Sequence, residues 1–165
     1  MPFKDSVGTP STRESFYMSE AVSVVAIETD DEIWRFLGLF AESTGLIRLR
    51  SRIADRRGLD QDAILEHLGN SGPDICLVDF DKDRRAAAII AERIHTALPE
   101  TAVFAVSSQT QPDVILEAMR AGCGEYLLKP IDREQLVKAV ARIGSRRKEK
   151  QEQSRGQVLA FMGAK

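Results

Sequence analysis

The chain has 165 residues, 43% of them hydrophobic, and a formal net charge of −2. That length holds about one domain; the apolar content supplies a core and argues against global disorder, and the near-neutral charge gives no bulk attraction to nucleic acid or membrane. Cys76 and Cys123 form no CxxC pair and have no histidine at metal-ligand spacing, so they read as small apolar packing residues of a reduced, intracellular chain. Neither a signal peptide nor a run of roughly 20 apolar residues able to cross a bilayer is legible, and the expectation is a soluble, cytoplasmic protein without membrane insertion.

Residues 1–20 are rich in Ser, Thr and Pro, lack sustained periodicity and read as a flexible N-terminal arm. Val22 to Ile27 is a continuous β-branched run, the pattern of a strand buried on both faces. Asp30, Asp31 and Glu32 then offer an N-cap and a negative first turn to a helix burying Ile33, Phe36, Leu37 and Phe40. The pattern repeats. A strand at Leu46–Leu49 precedes a helix at Asp60–Leu68, and the turn-rich Gly69–Pro73 leads into a strand at Ile75–Asp79. A helix over Lys82–Ala97 presents Ala86, Ile90 and Ile94 on one face, followed by a strand at Ala102–Val106 and a helix at Pro112–Ala121 carrying Ile115 and Met119. A strand at Tyr126–Leu128 and a helix capped by Asp132 that buries Leu136, Val140 and Ile143 complete the series.

Alternation of this kind demands right-handed crossovers and a parallel sheet with helices on both faces. The reading is a five-stranded, doubly wound α/β domain over residues 21–145. Residues 146–156 are almost wholly charged or polar and read as a solvated extension of the last helix or, with the domain ending at residue 145, as a linker. Beyond them, residues 157–165 read as a strand opening into Gly163-Ala164-Lys165. Arg48, Arg50, Arg52, Arg56 and Arg57 form a basic cluster that reads as a solvated strand edge.

In an open parallel sheet, functional groups gather beyond the carboxyl ends of the strands. Those positions hold Glu28, Thr29 and Asp30 after strand one, Asp79 at the end of strand three, Ser107 and Ser108 after strand four, and Lys129-Pro130 after strand five. Clustered carboxylates repel unless a cation sits among them, and Mg²⁺ suits oxygen donors. A lysine opposite can neutralise an anionic group that joins the cluster, and a hydroxyl can donate to that group's oxygens.

With these residues in place, the chain resembles the receiver domain of bacterial two-component response regulators, a flavodoxin-like fold whose strand-three aspartate accepts a phosphoryl group with Mg²⁺ assistance. "PDICLVDF" puts Asp79 at the acceptor position, "VFAVSS" puts Ser107 at the hydroxyl position, and "AGCGEYLLKP" puts Tyr126 and Lys129 at the switch-aromatic and lysine positions, with a cis bond expected before Pro130. The resemblance implies a Mg²⁺ site drawn from Glu28, Asp30, Asp79 and the backbone carbonyl of Asp81. Glu28-Thr29 replaces the usual acidic pair, and "FDKDRRAAA" lacks the usual proline and glycine, so that site is expected to be weakened or rearranged.

The order of divergent receiver, charged linker and "RGQVLAFMGAK" resembles the CpaE/TadZ pilus assembly family, in which an atypical receiver precedes an ATPase domain of MinD/ParA type. Residues 157–165 would then be the first strand of that ATPase, with Lys165 at the lysine of its phosphate-binding loop. The resemblance implies an interaction module rather than an enzyme: a pseudo-receiver that dimerises or docks a partner and localises the attached ATPase. The family's output face, helix four, strand five and helix five, would include Val114, Glu117, Arg120, Glu134 and Lys138. Implied partners are a second copy and pilus assembly or polar localisation proteins, with recruitment to the cell pole or the inner-membrane secretion machinery. The second reading is a phosphorylatable switch at Asp79 served by a histidine kinase.

Overall fold

The computed structural model describes residues 21–54 and 60–163, with side chains through residue 157. The expected arm at 1–20, Arg56, Arg57 and Lys165 lie outside the described residues. In chain order the elements are β1 (Val22–Ile27), α1 (Asp31–Thr44), β2 (Ile47–Ile53), α2 (Gln61–Ser71), β3 (Ile75–Asp79), α3 (Arg84–Ala97), β4 (Ala102–Ser107), α4 (Pro112–Arg120), β5 (Cys123–Leu128) and α5 (Arg133–Gly163). The strands form one parallel sheet in the order β2-β1-β3-β4-β5. This is the doubly wound architecture expected from the alternation.

β1 and β3 are buried along their whole length, as central strands covered on both faces must be. One core, built on Val25, Cys76, Val78, Ile90, Ile94 and Ala118, lies on the face covered by α2, α3 and α4. The other, with Ile33, Leu37, Phe40, Leu77, Phe104, Leu136 and Val140, lies under α1 and α5. Cys76 and Cys123 are buried free thiols. Burial alone pushes the Cys123 thiol up to about 12, which fits packing rather than thiolate chemistry.

Register places the site. Ile27 pairs with Val78, Asp79 with Val106, and Ser107 with Leu128. The carboxyl ends of β1, β3, β4 and β5 therefore finish level on one rim, and the residues just past them share a crevice.

Two expectations about packing are corrected. On α4, Val114 and Ala118 enter the core, whereas Met119 is exposed and Ile115 only half-buried. This nine-residue helix fully buries a single pair at i, i+4 spacing. Val114 is thus unavailable to an output face, and Glu117 is bound to Arg84 of α3 at 2.8 Å. Arg120, Glu134 and Lys138 are exposed as expected, beside Leu116, Met119 and Leu128.

The second correction concerns the C-terminal stretch. Of the two readings of residues 146–156, the helix extension is the one the structure shows, and residues 157–163, expected as a strand, continue the same helix: α5 runs for 31 residues. Arg, Lys, Glu and Gln are good helix formers, the stretch contains no proline, and Gly144 and Gly156 cost only about 1 kcal/mol each without ending a helix. Arg147 reaches back to Asp74 at 3.0 Å and to the carbonyl of Ala21, and Lys150 pairs with Glu100. These contacts lash the charged segment to the domain.

Gly122, between α4 and β5, has φ +93, and a Cβ there would lie 2.4 Å from Cγ and 2.7 Å from Cβ of His95. Gly122→Ala is expected to cost about 2 kcal/mol, from left-handed backbone strain and that clash. In urea denaturation, Gly122→Ala/His95→Ala should recover part of the loss; a neutral single variant would contradict the local geometry.

Candidate functional site

The crevice begins where β1 ends. Glu28 takes a left-handed backbone, φ +58, while its N–H donates to the carbonyl of Ile53 at 2.7 Å. A non-glycine residue pays about 1 kcal/mol or more there. Arg52 of β2 grips the turn that follows: its guanidinium donates to the Thr29 carbonyl at 2.7 and 3.2 Å and to Asp31 at 2.7 Å. Asp31 is thereby held toward β2. Asp30 caps α1, its Oδ1 accepting from the N–H of Ile33 at 2.8 Å, and turns Oδ2 to Lys129.

The centre is the Lys129 ammonium. It donates to Asp79 Oδ2 at 2.6 Å and lies 3.1 Å from Asp81 Oδ2 and 3.2 Å from Asp30 Oδ2. Its backbone is fixed by an N–H bond to the Ser107 carbonyl at 3.0 Å, and the Lys129–Pro130 bond is cis as expected. Asp79 is almost wholly buried, and its second oxygen accepts from the N–H of Asp81 at 2.8 Å.

Asp81 is turned inward by its side chain. Its Oδ1 accepts from Ser107 Oγ at 2.6 Å, and both its oxygens lie 3.0 Å from the N–H of Ser108. Ser107 Oγ in turn accepts from the N–H of Gln109 at 3.0 Å, and the carbonyl of Gln109 accepts from the Tyr126 hydroxyl at 2.8 Å. One polar chain therefore runs from Asp79 through Lys129, Asp81, Ser107 and Gln109 to Tyr126.

The electrostatics follow from these bonds. Burial raises the Asp79 carboxyl above the usual range, against the opposing pull of Lys129. Burial also disfavours ionised Asp81, yet the Ser107 hydroxyl, the Ser108 N–H and Lys129 outweigh it and hold that carboxyl below its ordinary value. Asp30 is lowered in the same way, by Ile33 and Lys129 against burial. For Lys129, burial lowers the ammonium's pKa but the three carboxylates raise it further, so it stays charged.

The structure thus brings together Asp79, Ser107, Lys129, Asp30 and Asp81, with Tyr126 at the end of the chain. Glu28, with its left-handed backbone, is buried beside this crevice. Of the residues expected around Mg²⁺, Asp30, Asp79 and Asp81 meet at the Lys129 ammonium, and among the described residues no three His, Cys, Asp or Glu side chains are grouped to hold a metal. The point on which Asp30, Asp79 and Asp81 converge is taken by an ammonium, Asp81 is committed to Ser107 and Ser108, and Thr29 Oγ1 is buried without a hydrogen-bond partner. An octahedral hydrated cation does not fit this arrangement as it stands. Two participants escaped the sequence reading. In the sequence Arg52 is one of several arginines on a solvated edge, and the receiver resemblance draws on the carbonyl of Asp81, not its carboxylate. In both cases the signal was a charge within reach of the rim, which only side-chain direction resolves.

Comparison with known proteins fits this geometry. The profile of the response regulator receiver domain matches residues 24–141. The transcriptional regulatory protein NarL of Mycobacterium tuberculosis is 30% identical over 81 residues, which are 49% of this chain and 38% of that protein. The chain therefore matches well under half the length of that relative. Among solved structures, a pilus assembly-related protein from Burkholderia pseudomallei superposes with a TM-score of 0.64 at 20% identity, covering 76% of this chain and 91% of that one. The NarL receiver domain gives 0.62 at 22% identity, with 76% and 97% covered. A pilus assembly protein, CpaE, from Burkholderia thailandensis gives 0.61 at 24% identity, with 76% and 98% covered. At such identities these structures attest the fold.

Removing the ammonium leaves a buried carboxylate without its counter-charge, which costs about 3 kcal/mol or more. Lys129→Met is expected to lose that much in urea unfolding, and Asp79→Asn/Lys129→Met to lose clearly less than the two single losses summed. Strict additivity would mean that the pair is not coupled.

Proposed function

The chain belongs to the response regulator receiver domain family, and on that footing we propose that it works as a pseudo-receiver, an interaction module whose crevice is satisfied from within. The observation that carries this reading is the Lys129 ammonium set among Asp30, Asp79 and Asp81. In the chemistry of receivers, cation and phosphoryl group arrive from solution and change the rim. Here the lysine at the family position already engages Asp30 and Asp81 as well as Asp79, both oxygens of Asp79 are already hydrogen-bonded, and Ser107 already donates to a carboxylate.

The work of such a module lies on its surfaces. α4, β5 and α5 carry the exposed apolar groups Leu116, Met119 and Leu128 beside the charged Arg120, Glu134 and Lys138, a composition suited to a specific, modest interface with a second copy or a docking partner. The fold likeness to pilus assembly proteins supports placing that partner in pilus assembly. In this reading the domain positions an attached MinD/ParA-type ATPase at the cell pole or the inner-membrane secretion machinery. The part of α5 beyond Lys150, residues 151–163, supplies a stiff connection of about 20 Å at 1.5 Å per residue.

A phosphorylatable switch is the second reading, favoured by Asp79, Lys129 and Ser107 holding the positions that phosphoryl chemistry uses. The two part in an amide NMR titration with Mg²⁺ and then with beryllofluoride, a mimic of the aspartyl phosphate. The pseudo-receiver account expects a folded spectrum that stays unchanged at both steps. Saturable shifts spreading from Asp79 through Ser107 and Tyr126 to α4 would transfer the assignment to the switch.

A further inference from the structure

We infer that the Asp81 carboxylate is a resident stand-in for a phosphoryl group, holding Ser107, the 107–109 segment and Tyr126 in their drawn-in arrangement without any modification of Asp79. The inference deepens the pseudo-receiver reading and rests on it for the claim that no external anion is needed.

An anion joining this crevice beside Asp79 has three donors to satisfy it: the ammonium of Lys129, the hydroxyl of Ser107 and the backbone N–H that follows. Asp81 has all three, at 3.1, 2.6 and 3.0 Å. Charge-assisted bonds to ammonium and hydroxyl are the strong ones, and an aspartate that retains some contact with solvent gives up hydration to make them. The placement is local in origin. The loop after β3 folds back so that the Asp81 N–H donates to Asp79 Oδ1, which holds Asp81 next to the acceptor while its carboxylate reaches Lys129, Ser107 and Ser108.

The consequence runs outward along the polar chain. With its proton given to Asp81, the Ser107 oxygen is oriented to accept from the N–H of Gln109, and the Gln109 carbonyl is thereby aimed at the Tyr126 hydroxyl. Tyr126 is only 9% exposed. A phosphoryl oxygen and the Asp81 carboxylate compete for the same donors, so the resident group also guards the crevice against an incoming one.

The test removes the resident anion and returns one. In Asp81→Ala, the amide signals of Ser107 to Gln109 and the ring signals of Tyr126 are expected to move away from their wild-type positions. Titration with acetate or inorganic phosphate is expected to bring them back saturably, while wild type ignores both anions. Unmoved 107–109 and Tyr126 signals in Asp81→Ala, or displaced signals that neither anion returns, would overturn the proposal. Asp81→Asn keeps the volume and drops the charge; if the alanine variant does not fold, displacement of the same signals in Asp81→Asn decides the matter. A beryllofluoride response of wild type would sink the pseudo-receiver reading on its own, leaving the Asp81→Ala result to judge this one.

Discussion

The ammonium of Lys129, held among Asp30, Asp79 and Asp81, is the contact on which the rest of the rim depends. Three carboxylates, Asp30 after β1 and Asp79 and Asp81 at the end of β3, would repel when gathered at one point. One cation makes them compatible, and each then carries a second duty: Asp30 caps α1, Asp79 receives the loop after β3, and Asp81 orders the segment after β4. Loss of that charge would loosen the junctions of β1, β3, β4 and β5 together. The sheet's register makes the arrangement possible, because parallel strands ending level deliver their next residues to one crevice.

Much of this was legible in the sequence. Strands buried on both faces announce themselves as continuous apolar runs, and Val22–Ile27 and Ile75–Asp79 are such runs. Helices with a strong apolar face, such as α1, were equally clear. The positions of Asp79, Ser107 and Lys129 followed from the strand ends, whereas Tyr126, inside β5, came from the family resemblance alone. What stayed hidden depended on side-chain direction or on weak periodicity. Asp81 lies on a loop, where sequence does not say whether carbonyl or carboxylate turns inward. Arg52 alternates with other arginines on an edge strand, and its partner, the Thr29 carbonyl, lies 23 residues away. At the C-terminus, a short apolar run after a charged stretch fits strand or helix equally, and helix propensity carried the charged stretch onward into α5.

The two ends of the polar chain differ in character. At the Asp79 end the groups are charged and compensate one another around a single buried carboxylate, which favours a single arrangement. At the Tyr126 end the bonds are neutral and run through backbone atoms of the 107–109 segment, next to the exposed apolar side chains of α4 and β5. A domain built this way can present a fixed face to a partner rather than one that comes and goes with a signal.

The most direct measurement is nitrogen-detected NMR of the Lys129 side-chain ammonium, assigned by its loss in Lys129→Met and recorded with and without millimolar Mg²⁺. Three carboxylate partners predict a distinct, slowly exchanging signal, resolved from those of surface lysines and unmoved by the cation. An ammonium that merges with the surface lysines, or that Mg²⁺ releases into them, would contradict an internally satisfied crevice.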